Sequence, residues 1–125
     1  MTNASAAERE SGTAFMPRFD DKGLMIAIAV DSATREILMV AFMDAEALEA
    51  TRRTGLAHFY SRSRGKLWMK GESSGHVLRV CEILVDCDQD ALVIKARPEG
   101  PTCHTGAPSC FYRLLDGDVL APVHD

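Results

Sequence analysis

Between Leu24 and Arg97 the chain alternates short β-prone runs with clusters of turn residues, and one stretch alone breaks that rhythm. The runs are Leu24–Asp31, Glu36–Met43, Leu56–Arg62, Lys66–Lys70, Leu78–Asp86 and Ala91–Arg97. Each is bounded by glycine, serine or aspartate, the punctuation of strands joined by tight turns. Ser32-Ala33-Thr34-Arg35 is short and polar enough to make a hairpin of the first two. The exception is Ala45–Thr54, with Asp44 before it, Glu46 in its first turn, Arg52 and Arg53 in its last, and Gly55 just beyond. Charges of these signs complement a helix dipole, and aspartate and glycine are its natural caps, so the segment predicts a helix. The expected fold class is α+β: a mainly antiparallel β-sheet with one helix, and function on loops and strand ends.

A chain of 125 residues, 46% of them hydrophobic, buries one core and hardly two, and a dimer would bury more. Residues 1–14 lack periodicity and read as a disordered tail; residues 15–115 form the domain, its last strand near Phe111–Leu115, and 116–125 a C-terminal tail. The net charge of −4 argues against a general nucleic-acid binder, while Arg62, Arg64, Lys66 and Lys70 form a local cluster suited to a small anion. No apolar run is long enough to span a membrane, and polar Met1–Ser11 is no secretory signal, so a cytoplasmic location is expected. In that reducing setting the four cysteines are thiols or metal ligands rather than disulfides.

Chemistry concentrates in Cys87-x15-Cys103-x6-Cys110. Three thiolates on zinc leave a fourth position open to water, which favours catalysis over a closed structural site, although the spacing alone fits buried, inert thiols equally well. Cys81 lies in a β-prone run about 20 Å along the strand from Cys87, too far for one metal, and is expected in the core. Asp86, Asp88 and Asp90 alternate at period two, so an extended segment would face all three carboxylates one way and Cys87 the other. Carboxylates suit Mg²⁺ and thiolates Zn²⁺; an acidic turn without metal is the plain alternative. His104, directly after Cys103, can serve as ligand, general base or outer-shell group.

A second constellation runs from Tyr60 through Arg62 and Arg64 to Trp68, Lys70, Ser73, Ser74 and His76. It joins cationic side chains to glycines that let backbone N–H groups approach a phosphate. Trp68 can stack on a planar base or pack in the core. Of the other histidines, His58 lies in an expected strand and His124 in the tail.

Taken together, Leu67-Trp68-x-Lys70-Gly71-Glu72-x-Ser74-Gly75, Asp86-Cys87-Asp88-x-Asp90 and Gly100-Pro101-x-Cys103-His104-x-Gly106-x-x-Ser109-Cys110-Phe111 resemble the phosphoribosyl-AMP cyclohydrolase family of histidine biosynthesis. The likeness runs from about Gly23 to Phe111 and includes Glu36–Met43, the Glu46-Ala47-Leu48 helix and Phe59–Arg62. It implies a Zn²⁺- and Mg²⁺-dependent homodimer that hydrolyses the N1–C6 bond of 1-(5-phosphoribosyl)-AMP. By motif match Cys87, Cys103 and Cys110 become zinc ligands, Cys87 from one subunit and the other two from its partner. Asp86, Asp88 and Asp90 become magnesium ligands. The chemistry of that reaction assigns the general base to His104, and a substrate with two phosphates calls for contacts from Arg62, Arg64 and Lys70, with Trp68, Ser73, Ser74 and His76 beside them. Asp44 stands where the family usually has asparagine, and Val30 where it often has glutamine. Few residues follow Phe111, so the cyclohydrolase activity is expected alone, without a pyrophosphohydrolase domain.

Overall fold

The computed structural model describes residues 5–123, so His124 lies outside the described residues. Its elements are α1 (Ala6–Ser11), β1 (Met25–Asp31), β2 (Ile37–Met43), α2 (Ala45–Thr54), β3 (His58–Ser61), β4 (Lys66–Met69), β5 (Leu78–Val85), β6 (Ala91–Pro98), β7 (Arg113–Asp116) and β8 (Val119–Pro122). The sheet and helix expected from the sequence are thus present. Asp44 caps α2 by accepting from the Ala47 N–H at 2.8 Å, a contact worth about 1 kcal/mol. Gly55 ends the helix at φ 75°, a left-handed conformation that glycine adopts without strain.

Six strands form one sheet in the order β4-β3-β2-β1-β6-β5. It is antiparallel throughout except where β1 pairs with β6, a parallel contact that the run of short hairpins does not announce. The sheet curls until β5 meets the chain entering β3: the Ala57 N–H donates to Leu78 O and the Val80 N–H to Gly55 O. Inside the curl lie Met25, Ala27, Ala29, Leu38, Met43, Phe59, Leu78, Leu92 and Ile94, closed over by Ala47 and Leu48 of α2. Thr51 fastens helix to sheet, its hydroxyl donating to Ala47 O and accepting from the His58 N–H.

Three expectations change. The presumed N-terminal tail contains α1 and then runs across the β5–β6 turn, where residues 16 and 18 hydrogen-bond Gln89. The presumed C-terminal tail supplies half of a hairpin, β7 and β8, turned at Gly117 with φ 62°. Cys81 is exposed rather than in the core, because a β-bulge between Val80 and Glu82 takes it out of register with β6.

The outer face of the sheet carries an apolar row. Register places Leu84 beside Val93, Val93 beside Ile28, and Ile28 beside Val40, one row across four strands. Leu84 and Val40 are 45% and 48% exposed, and Ile26 on the next row is 43% exposed.

Candidate active site

The sheet carries chemistry at two separated places, reached by opposite ends of β6. Before its first residue is the turn Asp86–Asp90, after β5. This segment is a turn and not the extended strand that the period-two spacing predicts. The Gln89 N–H donates to Asp86 O, Gln89 takes φ 60°, and Asp86 Oδ1 accepts from the N–H groups of Asp90 and Ala91 at 2.8 and 3.1 Å. The turn still gathers the carboxylates: ligand atoms of Asp86, Asp88 and Asp90 lie within 4.8 Å of one another. Among the described residues they are the only cluster of three or more potential metal ligands. Cys87 is exposed on the same turn.

Crowding sets the protonation of the trio. Hydrogen bonds with Asp88 and Asp86 push Asp90 up to about 6. Burial pushes Asp86 up, but hydrogen bonds from Asp90 and the backbone outweigh it and leave Asp86 below its ordinary value. An all-oxygen donor set of this charge suits a hard divalent cation, which would replace the shared proton. The sign follows from Asp90: its folded value exceeds the unfolded 3.8, so its contribution to stability is complete below about pH 4 and lost as pH rises through 6. The opposite contribution of Asp86 is lost only as pH falls below the ordinary carboxylate range. Metal-free Asp90→Asn protein should therefore melt above the wild type at pH 7, with the advantage shrinking by pH 5 and Mg²⁺ reversing it. Melting curves at the two pH values check this; an advantage independent of pH would refute it.

Beyond the last residue of β6, roughly 25 Å away at ~3.3 Å per residue, lies the loop with the other two cysteines. The Cys103 N–H donates to Ala107 O at 3.1 Å and the Gly106 N–H to Cys103 O at 3.0 Å, which closes the loop on itself. The Cys110 N–H donates to Leu38 O, and Ser109 Oγ donates to Ile37 O, which fix it to the start of β2. Cys103 and Cys110 come within hydrogen-bonding reach of each other. The Thr105 hydroxyl, donating to Cys103 Sγ at 3.1 Å, leads the causes that lower the Cys103 thiol, and the Lys70 charge adds to them. Burial, then the Cys103 charge, raises Cys110. Ionisation is eased at Cys103 and opposed at Cys110, and the two sulfurs with a lysine at hand suit a soft metal.

The remaining expected residues divide between these places. Lys70 Nζ donates to Thr102 O, beside Cys103. The Thr102 hydroxyl is buried without a partner among the described residues. The His76 ring packs against Gly100, where even a methyl group would meet it at 2.6 Å, and Ser74 Oγ accepts from the His76 N–H. Ser73 and His104 are exposed. Arg62 stacks on Phe42 at 4.1 Å, and Phe42 lines a cleft of about 420 Å³ with Asp90. Arg64 is exposed on the β3–β4 turn with its N–H on Ser61 Oγ. Trp68 is half-buried against the core, its ring centroid 5.4 Å from that of Phe59. Within one chain, then, the structure joins Cys103 to Cys110 but not to Cys87. Thr105 and Gln89 were not singled out by the sequence: a hydroxyl two residues after a cysteine is a weak signal, and Gln89 acts through contacts some 70 residues away.

Comparison with known proteins points one way. The family model described as phosphoribosyl-AMP cyclohydrolase matches residues 39–112. A protein of Erythrobacter litoralis named phosphoribosyl-AMP cyclohydrolase is 58% identical over 123 residues, covering 98% of each chain. One of the same name from Sphingopyxis alaskensis is 57% identical, covering 89% of this chain and 88% of its own. Another from Methanococcoides burtonii is 59% identical, covering 82% and 85%.

Proposed function

This chain belongs to the phosphoribosyl-AMP cyclohydrolase family, and from that membership we propose that it hydrolyses the N1–C6 bond of 1-(5-phosphoribosyl)-AMP, in histidine biosynthesis, at sites shared between two copies. The observation that supports sharing is the division of one donor set. Cys103 and Cys110 stand at one end of β6 and Cys87 at the other, on a sheet whose outer face carries an exposed apolar row. A two-fold axis that brings the first end of one copy to the second end of its partner completes two identical sites. Each site then holds Cys87 and the three carboxylates from one chain, and Cys103, Cys110, His104, Lys70 and His76 from the other.

The donor chemistry fits both metals: thiolates for Zn²⁺ from the three cysteines, oxygens for Mg²⁺ from Asp86, Asp88 and Asp90. Zinc held by Cys87, Cys103 and Cys110 would acidify a bound water. The phosphoribosyl group on N1 makes the substrate ring a cationic amidinium, so C6 is already electrophilic. His104 takes a proton from the attacking water as the O–C6 bond forms, then delivers it to N1 as the N1–C6 bond breaks. Arg62 and Arg64 from one side, and Lys70, Ser73, Ser74 and His76 from the other, hold the two phosphates.

The test is ultraviolet absorbance of zinc-loaded protein mixed with phosphoribosyl-AMP, with and without Mg²⁺, alongside Cys103→Ala. Ring opening that needs both metals and Cys103 supports the proposal. A folded, zinc-bound dimer without spectral change would leave the metal a structural role. Lys70→Ala should raise KM about tenfold, the scale of one hydrogen bond to a charged group. A fall in kcat at unchanged KM would instead make Lys70 a support for the cysteine loop.

A further inference from the structure

The carboxylate turn is held from outside. Gln89, between Asp88 and Asp90, is 6% exposed, and its side chain serves the N-terminal segment rather than the turn. Its Oε1 accepts from the Met16 N–H at 2.7 Å, and its Nε2 donates to Arg9 O at 3.0 Å and Ala14 O at 3.3 Å. Its backbone O accepts from the Arg18 N–H at 2.8 Å, and Arg18 Nη1 lies 3.4 Å from Asp88 Oδ2. Five contacts thus converge from residues 9–18, a segment before the stretch matched by the family model. The same segment walls a cavity of about 490 Å³ whose other lining includes Asp86, Cys87 and Arg52.

Resting on the reading of Asp86, Asp88 and Asp90 as Mg²⁺ ligands, we propose that Gln89 is a positioning residue for the cation site, clasping residues 9–18 to the turn. Three carboxylates within 4.8 Å repel one another when ionised, and a free turn would relax by splaying them. Gln89 also sits at φ 60°, a backbone conformation disfavoured for a residue with a Cβ, which its buried side-chain bonds offset. The clasp keeps the oxygens converged before the cation arrives, as outer-shell partners do for other metal ligands.

Two variants separate the side chain from the backbone. Gln89→Asn tolerates positive φ but is one methylene too short to span the segment, and Gln89→Gly relieves the backbone while removing every side-chain bond. Calorimetric titration of the zinc-loaded protein with Mg²⁺ should show affinity reduced about tenfold or more in both. Zinc content should be unchanged, and turnover of Gln89→Asn should recover at high Mg²⁺. Hydrogen exchange at Met16 and Arg18 reports whether the segment is released. Release with Mg²⁺ affinity unchanged would overturn the clasp. A wild type that binds no Mg²⁺, or binds it equally after Asp88→Asn, would remove the cation site itself and the clasp with it.

Discussion

Cys87→Ala protein and Cys110→Ala protein, each inactive alone, should regain about a quarter of wild-type turnover when unfolded together and refolded as a mixture with zinc. The arithmetic follows from the proposed sharing of the site. Half of randomly paired dimers are mixed, and each mixed dimer has one site with all three thiols and one lacking two. Each single variant has two sites short of one ligand, and losing several kcal/mol of metal-derived stabilisation slows turnover on the order of a thousandfold. The contrast between parents and mixture is therefore large. A site built within one chain would give no recovery at any mixing ratio. The separation of Cys87 from Cys103 and Cys110 along β6 is the reason to expect recovery.

What the sequence conveys about this fold depends on how local the cause is. Asp44, Gly55 and the charges between them act within one helix, and α2 spans Ala45–Thr54 as they predict. Strands bounded by glycine and aspartate are likewise legible, to within two residues for β1, β2, β4, β5 and β6. The parallel pairing of β1 with β6 joins residues some 65 positions apart and leaves no local mark. The bulge that exposes Cys81 depends on a mismatch with β6 and is equally silent. Gly117-Asp118, the two-residue loop between β7 and β8, is a hairpin signal in plain view. At Asp86–Asp90 the three carboxylates converge, but not by the route that their spacing suggests. Alternation on a strand was to align the carboxylates, but a turn with Gln89 at positive φ gathers them. The cause is Asp86, whose side chain binds the N–H groups of Asp90 and Ala91 and so competes with an extended ladder.

His104→Ala should lower kcat by about 10²–10⁴ while zinc content and dimerisation hold. His104 is exposed in the single chain, next to Cys103 on the loop that Ala107 closes, so its loss removes no core packing. Three thiolates bring three negative charges, so water at such a site is acidified less than beside three imidazoles, and a base has more to do. Breaking N1–C6 also needs a proton at N1, and one imidazole within reach of both atoms serves both steps. The pH profile separates this role from ligation. A base gives the wild type an acidic limb that His104→Ala lacks, and added imidazole restores part of the rate. Zinc loss in His104→Ala would make His104 a ligand, and near-normal turnover would remove it from the mechanism.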